Sequence, residues 1–226
     1  MQKTIPLKLQ RLFNQIEHCK RCKKEHNHLR HIFGGGQFKN PKFFFLFINP
    51  THKNLSSHPN YPGTRRYPFI GVRHLWKIFA EVGFIDKKTV ETMYHNGWQL
   101  GDEERIENDL RTGGVYITNF VKCAQPNPIN PPPAIMREVR PLVIEEIKAV
   151  NPKYIITFGM LPLKILANVD FRLRDILSSV RKETYCPLRL GVTRGKSYKI
   201  LPCYFPLGHG NTPKAKLILK YIQTTF

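Results

Sequence analysis

Acidic residues are scarce in this chain: 16 Asp and Glu stand against 36 Lys and Arg, a formal net charge of +20. Such an imbalance excludes an acidic, self-solvating protein and makes a polyanion the first expected partner. The basic residues are spread along the chain and not gathered into one amphipathic segment, which favours nucleic acid over an anionic membrane surface. No apolar run reaches the roughly 18 residues that a spanning helix needs, so no membrane is expected. The opening MQKTIPLKLQRLF carries charge but no apolar stretch followed by small residues, unlike a secretory signal. Only 5 cysteines occur, and without a signal they argue for a reducing, cytoplasmic setting and against a disulfide framework. Internal repeats, low-complexity tracts and linkers are missing too, so residues 1–226 are expected to form one domain acting as a monomer. The triplet Gly34-Gly35-Gly36 lacks a following Gly-Lys-Ser/Thr and precedes a strand, so it reads as a flexible turn and not as a phosphate loop.

What the chain does have is a run of apolar residues, Phe43 to Ile48, in KFFFLFINPTHKN. A short apolar run closed by turn residues reads as a strand buried on both faces. Pro50 cannot donate to a sheet ladder, so the strand should end there, with Asn49 at its carboxyl end. A second buried strand, Val115 to Asn119, also ends on an Asn; a third runs from Tyr154 to Phe158 before Gly159, and a fourth from Tyr198 to Tyr204 before a loop that includes His209. Helical spacing is expected over Leu7 to His18, Val72 to Val82, Ala134 to Val150, Leu163 to Ala167 and from about Pro213 onward. Alternation of strand and helix at this spacing indicates crossover units. The expected fold is therefore α/β, a three-layer α/β/α arrangement around a central, mostly parallel four-stranded sheet. In such a sheet the loops after the strands gather at one edge, which brings Asn49, Asn119, Gly159 and His209 to one candidate pocket.

Other stretches leave alternatives open. Cys19-Lys20-Arg21-Cys22 suits metal or cluster ligation, thiol redox chemistry, or two incidental thiols in a basic turn. Phe69, just ahead of a helix, reads as a stacking platform or as a first core contact. Asp102, Glu103, Glu104, Glu107 and Asp109, mixed with Arg105, read as a solvated helix face in preference to a metal site. The long polar loop Leu55 to Tyr67 carries Arg65 and Arg66, and long loops in compact domains tend to be functional. Between Phe171 and Ser197 the pattern is poor; an irregular basic hairpin around Gly191 and Gly195 is expected.

In this order the motifs resemble the uracil-DNA glycosylase superfamily, and most of all its thermophile-type family four. YPFIG at Tyr67 to Gly71 is similar to that family's RPFVG, VYITNFVKC at Val115 to Cys123 to its VYITNVVKC, and NPKYIITFG at Asn151 to Gly159 to its RPKVIVALG. The first motif departs: FINPT replaces GEAPG and is more like the GINPG of mismatch-specific uracil glycosylases, with an echo of QDPYH. The last departs further, since ILPCYFPLGHGN puts Phe205 where the histidine of PTYHPS belongs, with His209 four residues on.

The resemblance implies a repair enzyme that flips uracil out of DNA and hydrolyses its N-glycosidic bond. By that resemblance Asn49 orients the attacking water and His209 stabilises the departing base. Ile48, Pro50, Thr51, Phe69 and Asn119 surround the base, with Phe69 stacking on it and Asn119 reading its pairing edge. Arg65, Arg66, Lys214 and Lys216 hold DNA phosphates. The family also implies a 4Fe-4S cluster, for which Cys19, Cys22 and Cys123 match three ligands while Val139 stands at the fourth. Two other readings remain in play. One is a catalytically degenerate DNA-binding member of the superfamily, and the other is a nucleic-acid-binding module whose Cys-x-x-Cys holds zinc.

Overall fold

The computed structural model describes residues 5–19, 31–51, 72–97, 99, 101–124, 129–170, 172–192, 196–208 and 210–226. In chain order the elements are α1 (Leu7–Glu17), β1 (Gly35–Gly36), β2 (Phe43–Phe47), α2 (Arg73–Glu81), α3 (Lys87–Asn96), α4 (Asp102–Thr112), β3 (Val115–Asn119), α5 (Pro133–Val150), β4 (Tyr154–Phe158), α6 (Met160–Ala167), α7 (Leu173–Arg181), β5 (Leu188–Val192), β6 (Lys196–Cys203) and α8 (Thr212–Thr225).

The sheet has 6 strands in the order β1-β3-β2-β4-β6-β5. Its inner four, β3, β2, β4 and β6, are parallel, as the crossover spacing requires. Each edge carries one antiparallel strand that the sequence reading did not count as part of the sheet. The triplet expected to be a free turn instead lends Gly35 and Gly36 to the ladder against Ile117 and Tyr116. Glycine is needed here for close approach: a Cβ on Gly34 would lie 2.2 Å from the Tyr116 hydroxyl, and Gly36 has φ +97°. At the other edge, β5 and β6 form the expected basic hairpin. The helix α7 before it was not anticipated. Its buried face is only Ile176 and Val180, too short an apolar stripe to stand out among charges.

Every residue of β2 is buried, and its side chains divide by parity between two cores. Phe43, Phe45 and Phe47 join residues of α2, α3, α4, α7 and α8 on one face. Phe44 and Leu46 join residues of α1, α5 and α6 on the other. Helices therefore cover both faces, giving the expected three layers.

The acidic helix α4 corrects one expectation. Asp102, Glu103 and Glu107 are buried, not solvated. Asp102 has a local reason: its carboxylate accepts from the Gln99 backbone N–H at 2.7 Å and from Arg105 Nη1 at 2.9 Å, which ties the turn ahead of α4 to its first residues.

Candidate active site

The parallel strands β3, β2, β4 and β6 deliver their carboxyl ends to one edge of the sheet. Phe47 and Asn119 are register partners, so Asn49 lies just two residues beyond the position opposite Asn119. The two exits are tied together beyond the ladder: Phe120 N–H donates to Phe47 O at 2.8 Å and Val121 N–H to Ile48 O at 2.9 Å. On the other side, Gly159 N–H donates to Cys203 O at 2.8 Å, joining the exits of β4 and β6.

Asn119 is 1% exposed, and neither its amide nitrogen nor its amide oxygen has a hydrogen-bond partner. Among the described residues it is the one side chain with two buried polar atoms in that state. Leaving buried donors and acceptors unmade costs on the order of 1–3 kcal/mol each, so folds rarely keep them without a use. A donor and an acceptor side by side at the end of a strand are what a planar ligand edge with the complementary pair would satisfy. Asn49 is half-buried nearby, and among the described residues its amide makes long contacts alone, 3.4 Å to Pro50 O and 3.4 Å to Ile129 O. The Ile129 carbonyl belongs to the proline-rich loop and was not singled out in the sequence. Pro50 is buried and Thr51 half-buried on the same exit, while Ile48 packs on the α5 face of the sheet.

Aromatic rings back this edge. Phe47 stacks on Phe158 with centroids 4.1 Å apart, and Phe205 meets Phe47 edge-on at 6.0 Å. Phe205, which stands where the family histidine belongs, is thus absorbed into the apolar layer. The turn after it is tight: Asn211 N–H donates to Phe205 O at 2.9 Å, and a Cβ on Gly210 would meet that same oxygen at 1.9 Å. His209, Phe69, Arg65, Arg66 and Cys22 lie outside the described residues. Lys214 places its ammonium 5.4 Å over the Tyr204 ring, and Lys216 is paired with Glu81, so a phosphate would compete with that carboxylate.

A buried polar cluster that the sequence reading missed sits behind Asn119. Lys122 Nζ donates to Asn119 O at 2.6 Å, to Thr118 Oγ1 at 2.5 Å and to Glu146 Oε2 at 2.5 Å. Glu146 Oε1 also accepts from Tyr116 OH at 2.7 Å and Thr118 Oγ1 at 3.0 Å. Burial pushes the Lys122 ammonium below the usual lysine range, and the Glu146 carboxylate opposes that shift. A signal for it existed: Glu146 falls on the face of α5 that carries Val139, Val143 and Val150, an acid at an apolar position.

Among the described residues the donor set for a cluster is incomplete. Cys19 and Cys123 line one narrow cavity of about 20 Å³ with His31, Lys122 and Val139, room for about a single water. No group of three His, Cys, Asp or Glu side chains among the described residues is arranged to hold a metal ion. Cys203 is buried in the opposite core against Ala215, and Cys186 is exposed just ahead of β5. Neither reaches that cavity. Cys123 is also disulfide-bonded, contrary to the expectation of reduced thiols throughout, whereas Cys19, Cys186 and Cys203 are free. A sulfur held among other donors is as well placed for oxidation as for ligation.

In a strongly basic chain, the carboxyl ends of the parallel strands thus bring two asparagine side chains to one edge of an α/β sheet, the edge where such folds bind ligands. The profile of the uracil DNA glycosylase superfamily matches residues 33–223, and the chain belongs to that superfamily. Over 87 residues it is 33% identical to the type-4 uracil-DNA glycosylase of Pyrobaculum aerophilum, covering 38% of this chain and 44% of that one. Over 97 residues it is 28% identical to the type-4 uracil-DNA glycosylase of Archaeoglobus fulgidus, covering 43% and 47%. The chain thus spans less than half the length of either relative. No helix among the described residues is long and apolar enough to cross a membrane.

Proposed function

We propose that the chain is a DNA repair glycosylase that binds uracil-containing DNA as a single-domain monomer, extrudes the uracil and hydrolyses its N-glycosidic bond. The observation that carries this reading is the pair of unpartnered amide atoms of Asn119, buried at the end of β3 beside Asn49. Uracil offers O4 as acceptor and N3–H as donor on one edge. Asn119 Nδ2 donates to O4 and Asn119 Oδ1 accepts from N3–H, which satisfies both atoms at once.

Bond cleavage leaves a cation-like sugar and an anionic pyrimidine, so the pocket has to serve two opposite charges and deliver water. Asn49 has no basic pKa. Its carboxamide orients a water toward C1′ without deprotonating it, which suffices once the sugar carries positive charge. His209 neutralises charge growing on uracil O2, Phe69 stacks on the ring, and Thr51, directly after Pro50, takes the position where bulk excludes a thymine methyl. Because the base must leave the stack, flipping costs a few kcal/mol, which the phosphate contacts of Arg65, Arg66, Lys214 and Lys216 offset.

In this reading Cys19, Cys22 and Cys123 are the candidate 4Fe-4S ligands. The convergence of Cys19 and Cys123 on one cavity supports it; Cys123 ligates only once its disulfide is reduced, and with Val139 at the family's fourth position His31, in the same cavity, is the candidate fourth donor. No step of the reaction is routed through a cluster. Iron content and absorbance near 400 nm after anaerobic purification test it, and colourless, iron-free, fully active protein would exclude it.

The decisive assay uses a single-uracil oligonucleotide, followed by alkali to cut at any abasic site. Strand scission at the uracil position is expected. An intact strand bound with undiminished affinity would instead favour the degenerate binding member. Asn49→Ala is expected to lower the single-turnover rate at least about 10²-fold, on the order of 3 kcal/mol, and a wild-type rate would remove the water-orienting role.

A further inference from the structure

The cluster behind Asn119 has more organisation than packing requires. Lys122 and Glu146 are 7% and 0% exposed and form an ion pair at 2.5 Å. Taking two charges out of water is expensive, and apolar residues of similar volume usually stabilise a core as well or better. The pair is not spent on joining distant surfaces. Instead, its ammonium reaches the backbone oxygen of Asn119 itself. The peptide that carries the unpartnered amide is therefore held from behind, on the α5 face, while that amide faces the opposite side of the sheet.

The other members extend the same hold. Tyr116 and Thr118, three and one residues before Asn119 and on the α5 face, both donate to Glu146 Oε1. The bare backbone of Gly34 leaves the space that the Tyr116 hydroxyl occupies. The end of β3 is thus pinned to α5 at three successive points, and the last of them is Asn119.

Resting on the reading of Asn119 as the base-reading amide, we propose that Lys122 and Glu146 are positioning residues. Their buried ion pair fixes the Asn119 peptide so that its amide meets the pyrimidine edge in a single orientation. Neither residue touches the base. A loosened peptide lets the amide sample other directions, so the pair acts on the rate of the bound complex and not on DNA affinity.

The test uses the double variant Lys122→Met with Glu146→Leu, which removes both charges while keeping apolar bulk and avoids stranding either one. A melting temperature near that of the wild type is expected. Its single-turnover uracil release should fall by roughly 10- to 100-fold, with affinity for uracil-containing DNA within about 2-fold, the signature of an interaction made in the transition state. In asparagine-labelled protein the Asn119 side-chain amide should give one sharp signal pair in the wild type and a broadened or multiple set in the double variant.

A double variant that melts normally and releases uracil at the wild-type rate would overturn the proposal, as would unchanged Asn119 amide signals. Should the double variant not fold, Tyr116→Phe removes one donor to Glu146 and leaves the pair. A slowing of roughly 3-fold with unaltered affinity then supports positioning, and a wild-type rate refutes it. If wild-type protein releases no uracil at all, the functional reading fails, while the amide signals still report on the clamp.

Discussion

The two faces of the sheet are built from different chemistry. On the α2 and α8 face, Phe45 meets Phe79, Phe84 and Phe158 with centroids 5.1, 4.9 and 5.4 Å apart, and the layer is a continuous pile of rings. On the α5 face the carboxyl end of β3 is held by Lys122, Glu146, Tyr116 and Thr118, all buried and hydrogen-bonded to one another. Ring packing is dense but indifferent to where one amide points. Hydrogen bonds with fixed directions specify a single backbone position. The contrast separates two tasks: the aromatic face supplies stability, and the polar cluster supplies placement at the edge where Asn49 and Asn119 lie.

Substitutions on the two sides should therefore fail in different ways. The largest effect is expected from Phe45→Ala, since Phe45 is 0% exposed and meets the rings of Phe43, Phe79, Phe84 and Phe158. Emptying that position should cost about 3–5 kcal/mol of stability, read as a fall in denaturant midpoint. Uracil release per folded molecule should stay near wild type, because among the described residues no ring contact of Phe45 includes a site residue. A selective loss of activity with unchanged stability would erase the distinction between the faces.

Asn119→Ala should show the reverse pattern. Release of uracil should drop by about 10²- to 10³-fold, the scale for removing one positioned polar group in an active site. Affinity for DNA should remain within about 2- to 3-fold, because phosphate contacts supply most of it. Stability should hold or rise, since the substitution deletes two buried polar atoms that the folded protein leaves without partners. Parallel loss of binding and activity would mean that Asn119 supports the fold and does not read a base.

This division explains what the sequence disclosed. Of the inner strands β2, β3 and β4 were the most legible, because each is a short apolar run closed by Asn or Gly, and the two asparagines at strand ends marked the site edge. The edge strands were not. Gly35 and Gly36 carry no side chains to form a pattern, and their place in the ladder depends on Tyr116, which lies far away in the sequence. The polar cluster escaped for a related reason. Lys122 and Glu146 look like ordinary surface charges until α5 folds back onto β3, and only then does burial give them meaning. The acids of α4 misled in the same way, because a helix so rich in charge reads as solvated although Asp102 is buried and accepts from the Gln99 N–H and Arg105.

The smallest expected effect concerns a carboxylate near the aromatic face whose charge the fold disfavours. Burial holds the Asp109 carboxyl above the usual carboxylate range; hydrogen bonds from Thr89 and the Asp86 backbone N–H partly oppose this, and the Asp86 charge adds to it. A raised pKa means that the folded state keeps the proton more tightly than the unfolded one. The contribution is therefore favourable below the unfolded value of 3.8 and is lost as pH rises through the folded value. Asp109→Asn keeps an acceptor for the Asp86 N–H, at 3.3 Å in the wild type, and removes the charge. Its stability relative to wild type should accordingly improve as pH is raised from about 4 to 7, by well under 1 kcal/mol given the partial exposure of the group. Denaturant midpoints across that range measure it. A variant that loses ground toward neutral pH would mean that the ionised carboxylate stabilises α3 and α4 through its contacts with Asp86 and Thr89. In that case the aromatic side of the molecule would also use a specific polar contact for placement.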